Sequence, residues 1–127
     1  MEKKWQTLTK AEMQVMNIVW SLSDKWCYVN DVIEKYEEPK PAYTTIATFM
    51  KILNMKGFLK CKKEQKGKRQ NIFSPTLSKD EYRRRVMSEI KSSIFDGSAS
   101  SFLSFFVREE KLSESDIKEL INLVNNQ

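Results

Sequence analysis

The narrow polar stripe of the segment from Thr9 to about Ser21 constrains the fold more than any other feature. At helical spacing, the polar residues of this segment recur on one stripe, and apolar side chains cover the other faces. The stripe comprises Lys10, Gln14, Asn17 and Ser21. Thr9 is a good N-cap, and Glu12, three residues later, completes a capping box. A helix with so narrow a polar face must be largely buried, so we expect it to be the scaffold of a domain.

Two more helices and a hairpin are predicted in the residues that follow. A short helix fits Val29 to about Glu37, and the sequence EPKP stops it because proline cannot continue a helix. A third helix begins near Ala42 and ends at Gly57, which stands where a C′ glycine is expected. Residues 58–63 and 69–74 then read as a β-hairpin with a long, basic tip. Three helices followed by a hairpin within about 75 residues is the winged helix-turn-helix order.

The residues beyond Pro75 differ in character from those before it. Three short amphipathic helices are predicted there, and they contain too little material to close a core alone. A second copy of the chain is the simplest partner, although a small intrachain core is the alternative for the phenylalanines. The chain is thus expected to be mainly α with a small β-hairpin: a winged-helix DNA-binding domain (1–75) followed by a helical dimerisation region (76–127). The predicted dimer contacts are Ile90, Ile94, Phe102, Phe105, Phe106, Ile117, Leu120, Ile121 and Val124.

The positive charge of the chain is concentrated in one segment. The formal net charge is +5 overall, but residues 39–73, the basic block, carry nine lysines and arginines against Glu64 alone, a net of +8. Such a segment is the electrostatic footprint expected of a surface that binds a polyanion.

The outward face of the third helix favours DNA as that polyanion. Three threonines in five residues lower helix propensity, but threonine can bond to base edges and phosphates, and its methyl can meet a thymine methyl. The alternatives are a solvated helix and, for the hairpin, lysines that protect an edge strand from aggregation. We predict that the helix contacts double-stranded DNA through Tyr43, Thr44, Thr45, Thr48 and Lys51. The hairpin tip is predicted to contact phosphates through Lys66, Lys68 and Arg69.

Composition weighs against an enzyme. The chain has no histidine, which excludes imidazole-based acid–base catalysis and histidine metal sites. Cys27 and Cys61 stand apart from each other and predict free thiols. We see no nucleophile–base pair, metal cluster or phosphate-cradling glycine loop, so no catalysis, metal or cofactor is expected. No apolar run approaches the ~20 residues of a membrane span, and MEKKWQTLT lacks the apolar region of a signal peptide, so we expect a cytoplasmic protein without direct membrane insertion.

Three segments of the sequence resemble the penicillinase repressor family, and the resemblance covers nearly the whole chain. They are LTKAEMQVMNIVW (8–20), YTTIATFMKILNMKGFL (43–59) and FFVREEKLSESDIKEL (105–120). The resemblance implies a homodimeric transcriptional repressor of inverted-repeat operators, similar to regulators of beta-lactam resistance genes. It implies that the third helix enters the major groove, with contacts from Thr44, Thr45 and Thr48, and that the wing lies against phosphates.

The resemblance also implies how repression ends. Family members are commonly paired with a membrane-bound sensor metalloprotease, and cleavage in the dimerisation region releases the DNA. The matching bond here joins Phe105 and Phe106. The chain departs from the family at Phe105, where asparagine is often found, and at Ile52, where arginine is common. A second hypothesis stays open, a winged-helix protein-interaction module that binds no DNA, because a fold alone does not fix function.

Overall fold

The computed structural model describes residues 8–23, 25–67 and 69–125, the last three as backbone alone. Six α-helices and a two-stranded antiparallel sheet lie within these residues. They are α1 (Lys10–Ser21), α2 (Val29–Glu34), α3 (Tyr43–Met55), β1 (Leu59–Lys63), β2 (Asn71–Pro75), α4 (Lys79–Ile94), α5 (Ala99–Glu110) and α6 (Glu114–Asn125). The predicted class, mainly α with a small hairpin in winged-helix order, is confirmed.

The helix α1 is the scaffold that its sequence predicts. The capping box is formed, since the Glu12 amide donates to Thr9 Oγ1 at 3.2 Å and the Thr9 amide donates to Glu12 Oε1 at 3.0 Å. The predicted polar stripe is exposed, whereas Val15, Met16 and Val19 are buried. Packing of this apolar surface against α2, α3 and β2 forms the centre of the core.

The helix α2 is shorter than its sequence predicts. It ends at Glu34 instead of continuing to about Glu37, and a turn leads to Lys40. The Lys40 ammonium donates to the carbonyl oxygens of Glu34 at 3.0 Å and of Tyr36 at 2.8 Å. A lysine beyond α2 therefore binds carbonyl groups at the C-terminal end of the helix and in the turn that follows it. The helical periodicity of the sequence does not predict such a contact.

The sheet extends beyond the predicted hairpin by one residue of a third strand. β1 and β2 pair in a register that places Leu59 opposite Pro75 and Lys63 opposite Asn71. Cys27 bridges to Phe73 on the other edge of β2: the Cys27 amide donates to the Phe73 carbonyl at 2.8 Å, and the Phe73 amide donates to the Cys27 carbonyl at 2.9 Å. This bridge joins the segment before α2 to the hairpin and so connects the first three helices to the sheet.

Contacts between Cα atoms divide the chain into two compact units, Met1–Arg83 and Arg84–Gln127. The first unit holds the three helices and the sheet, and the start of α4 packs there through Tyr82, whose ring lies 5.5 Å from that of Trp20 and 5.9 Å from that of Phe58. The Trp20 indole also donates to the Leu77 carbonyl at 3.0 Å. The functional division predicted after residue 75 stays a prediction. None of the described helices has the length and apolar character that crossing a membrane requires.

Candidate nucleic-acid interface

The buried stripe of α3 determines which of its side chains face outward. Ile46, Met50 and Leu53 are buried, and the helix packs against α1, α2 and β1. This fixes the rotation of the helix about its own axis, because an apolar stripe at i, i+4 and i+7 leaves the opposite face to solvent. The exposed side chains of α3 are Tyr43, Thr44, Thr45, Thr48, Lys51, Asn54 and Met55.

The hydroxyl of Thr48 has a defined orientation on this face. It donates to the backbone carbonyl of Thr44 at 2.8 Å, which uses its one hydrogen. The hydroxyl oxygen therefore remains an acceptor, beside an exposed methyl group. An acceptor next to a methyl matches an amino group of adenine or cytosine next to a thymine methyl in the major groove.

The N-terminus of α3 leaves its first amides without a side-chain cap. Ala42 is the N-cap residue and has no side chain that could accept, and the first turn contains no acidic residue. The amides of the first turn have no acceptor within the helix, and the helix dipole favours negative charge at this end. A phosphate could accept hydrogen bonds from these amides. The exposed residues Tyr43, Thr44 and Thr45 lie at the same end of the helix.

The wing, residues 59–75, presents exposed cationic side chains at and near its tip. Lys63, Lys66 and Arg69 are exposed. The tip turns through two residues with left-handed backbone, Gly67 at φ +79° and Arg69 at φ +53°. The predicted contact Lys68 lies outside the described residues.

The one acidic residue of the basic block anchors the wing tip, a role that sequence reasoning missed. Glu64 Oε2 accepts a hydrogen bond from the Tyr28 hydroxyl, and Oε1 accepts from the Gln70 amide at 3.3 Å. The Glu64 amide in turn donates to the Gln70 carbonyl at 3.0 Å. The bond to the carboxylate raises the pKa of Tyr28, with burial adding to the effect. The isolation of Glu64 among lysines was the only signal in the sequence.

Several lysines of the basic block have partners within the protein. Lys40 caps α2, and the Lys56 ammonium lies 2.7 Å from Glu12 Oε1. Lys60 and Lys62 lie over the indole of Trp26, with ammonium-to-centroid distances of 5.6 and 4.3 Å. The nine charges of the block therefore differ in availability. Among the predicted contacts that the structure describes, Lys51, Lys66 and Arg69 are exposed.

The apolar residues of the second unit are poorly covered by their own chain. No residue of α5 is buried, although Phe95 contacts Phe102 and Phe105 with ring centroids 5.4 and 5.6 Å apart. Ile94 is 68% exposed and Ile121 is 52% exposed. Among the other predicted dimer contacts, Phe105 and Phe106 are exposed and Ile90, Phe102, Ile117 and Leu120 are half-buried, whereas the Val124 side chain lies outside the described residues. The bond between Phe105 and Phe106 lies inside the helix α5.

Comparison with known proteins identifies the family. Residues 8–126 match the family described as "Penicillinase repressor". The chain belongs to the penicillinase repressor family. The resemblance drawn from the three sequence strings is thereby confirmed, and the protein is a member of a family of transcriptional repressors.

Named relatives of this penicillinase repressor family member match it along all or nearly all of their length. The "Methicillin resistance regulatory protein MecI" of Staphylococcus aureus (strain N315) is 29% identical, with 100% of both chains covered. The "Penicillinase repressor" of Staphylococcus aureus is 27% identical over 99% of this chain and 97% of its own. The "Penicillinase repressor" of Bacillus licheniformis is 25% identical over 96% of this chain and 92% of its own.

Proposed function

We propose that this family member is a homodimeric transcriptional repressor that binds inverted-repeat operator DNA. The observation that carries the proposal is the exposed threonine face of α3 in the same folded unit as a wing whose exposed cations lack carboxylate partners among the described residues. A helix that enters the major groove and a wing that lies on phosphates need this combination.

The two elements have different tasks in this proposal. The face of α3 reads bases, because hydroxyls, methyls and an amine complement the donor and acceptor pattern of the major groove. The wing supplies affinity without sequence preference through counterion release. The base-reading set is Tyr43, Thr44, Thr45, Thr48 and Lys51, and the phosphate-binding set is Lys66, Lys68 and Arg69.

Dimerisation is the part of the proposal that explains inverted repeats. Exposed apolar residues on α4, α5 and α6, among them Ile94, Phe106 and Ile121, favour burial against an identical surface. Two winged-helix units related by a twofold axis would read two half-sites of opposite direction. We infer that the partner covering these helices is a second copy of this chain.

Release from DNA would follow from cleavage between Phe105 and Phe106 by a membrane-bound sensor metalloprotease. A cut inside α5 separates the apolar residues that the dimer needs. Each winged-helix unit would then bind its half-site alone, without the gain in affinity that a linked second unit gives. The bond lies within a helix, so α5 has to open locally before a protease can bind it. The names of the relatives, which refer to methicillin resistance and penicillinase, favour beta-lactam resistance genes as the class of target.

Salt-dependent DNA binding tests the proposal. A fluorescently labelled duplex of about 30 base pairs and mixed sequence is titrated with the chain at several salt concentrations. We expect a steep loss of affinity with salt, and a slope that falls by about two in the variant Lys66→Gln/Arg69→Gln. Lys10→Gln, which removes an exposed charge from α1, is the matched control and should leave the slope unchanged. Absence of salt-dependent binding would overturn the proposal and favour a protein-interaction module.

A further inference from the structure

We propose that the hydrogen bond between Tyr28 and Glu64 positions the wing for DNA, so that Tyr28 is a positioning residue for operator binding. This inference rests on the proposed function and adds to it a residue outside both predicted contact sets. Tyr28 stands at the start of α2 and Glu64 at the wing tip, 36 positions apart.

The Glu64 carboxylate connects its own side of the wing tip to the returning side and to the start of α2. One oxygen accepts from the Tyr28 hydroxyl, and the other accepts from the backbone amide of Gln70 on the returning side of the tip. Within the described residues it forms no ion pair within 4 Å, although Lys63 and Lys66 are close in sequence. A charge-assisted hydrogen bond of this kind is about twice as strong as a neutral one, so both ends of the tip are tied to α2 through one side chain.

Tyr28 is itself held rigidly at the start of α2. Its backbone amide donates to Asp31 Oδ2 at 2.7 Å, and α2 packs directly against α3. The hydroxyl of Tyr28 therefore connects the wing tip to the helix pair that carries the base-reading face. An open groove separates the tip from α2 around this contact, and its lining residues are Tyr28, Asn30, Asp31, Glu64, Gly67 and Gln70. Because an open groove surrounds this contact, the hydrogen bond links the tip to α2 at a place where the two are not closely packed.

Electrostatics and positioning predict opposite effects for the loss of Glu64. A carboxylate in a basic block repels phosphate, so a residue with a purely electrostatic effect would give tighter DNA binding when replaced by alanine. A residue that positions the wing gives weaker binding, because the exposed Lys66 and Arg69 lose their fixed location relative to α3. Tyr28→Phe separates the two effects further, since it leaves every charge in place.

The test uses the full chain, the labelled mixed-sequence duplex and three variants. We expect Tyr28→Phe and Glu64→Ala each to weaken binding about tenfold, the size associated with a lost hydrogen bond to a charged group, and the double variant to be no weaker than either single one. The salt slope should fall by about two in each, which a general loss of stability would not produce. Tyr36→Phe is the matched control, because burial and not a carboxylate raises the pKa of Tyr36; it should bind as the unsubstituted chain does.

Amide hydrogen exchange of Gln70, measured without DNA, makes the result independent of the binding assay. Exchange should become faster by about tenfold in Tyr28→Phe and stay unchanged in Tyr36→Phe. Unaltered affinity and slope in Tyr28→Phe, or tighter binding by Glu64→Ala, would overturn the positioning role while the proposed function stands. If the unsubstituted chain bound no duplex, the proposed function would be wrong. Separately, an unchanged exchange rate of the Gln70 amide in Tyr28→Phe would show that Tyr28 does not hold the wing.

Discussion

The ammonium group of Lys56, just beyond the end of α3, lies 2.7 Å from the carboxylate of Glu12 in the first turn of α1. The Glu12 side chain is 6% exposed and that of Lys56 is 24% exposed, so the pair is largely shielded from water. Because Glu12 also closes the capping box of α1, one carboxylate fixes the start of the scaffold helix and the end of the helix proposed to read DNA.

Removing Lys56 leaves the Glu12 carboxylate buried without its cation. We expect Lys56→Met to lower the free energy of unfolding by about 2 kcal/mol, because an uncompensated buried charge is costly. The control is Asp80→Asn, which breaks the exposed pair of Arg83 and Asp80 and should cost less than about 1 kcal/mol. Urea denaturation of both variants measures the difference, and equal losses would contradict a structural role for the Lys56 pair.

Glu12 should make stability depend on pH in the acid range. Burial alone would raise the pKa of Glu12, but hydrogen bonds from Lys56 and Thr9 outweigh it and hold the pKa below its ordinary value of 4.5. The folded state thus binds this proton more weakly than the unfolded state, so the contribution to stability is complete above the unfolded pKa and is lost as pH falls through the folded pKa. Urea unfolding of the original chain and Glu12→Gln should differ most near pH 7 and converge between about pH 5 and pH 3. A difference that stays constant or widens in acid would count against this assignment.

Local sequence signals predicted the secondary elements but not the contacts that orient them. The capping box of Thr9 and Glu12 and the glycine after α3 were read correctly, since each depends on residues a few positions apart. Gly57 has φ +90°, the left-handed conformation that its position required. Apolar periodicity likewise placed the buried and exposed faces of α1 and α3.

The long-range contacts were missed because they follow from the packed geometry and not from periodicity. The Cys27–Phe73 bridge, the Lys56–Glu12 pair and the Tyr28–Glu64 hydrogen bond join residues dozens of positions apart. Composition assigned all nine cations of the basic block to a polyanion, whereas the structure gives Lys40 and Lys56 internal partners. The sequence therefore located the candidate surface, and the structure shows which of its described lysines have partners within the protein.

The apolar surface of the second unit should control the oligomeric state. Phe106 is 39% exposed on α5, so Phe106→Asp should place a charge in the proposed interface and raise the dimer dissociation constant at least about tenfold. Ser104→Asp introduces the same charge at an exposed polar position of the same helix and serves as the control. Sedimentation velocity over a range of concentrations measures the effect. A monomeric original chain, or equal effects of the two substitutions, would argue against this interface.

The two thiols should react at different rates. Burial, together with the charge of Asp31, raises the pKa of Cys27 to about 11, whereas Cys61 is exposed on β1. Iodoacetamide at pH 8 should therefore modify Cys61 at least about ten times faster than Cys27, because only an accessible thiolate reacts. Mass spectrometry of the original chain and of Cys61→Ser resolves the two sites, and urea should remove the protection of Cys27. Rapid modification of native Cys61→Ser would mean that Cys27 is not protected in this way.

Selection of bound DNA from a random pool tests the central claim most directly. If two copies of the α3 face read bases while the wings hold phosphates, the recovered sequences should share two half-sites in inverted orientation, with centres one helical turn or a multiple of it apart. Thr48→Ala should relax the preference at one position in each half-site and leave the spacing unchanged. Recovery of bound DNA without any shared sequence, or of a single unpaired site, would contradict the account.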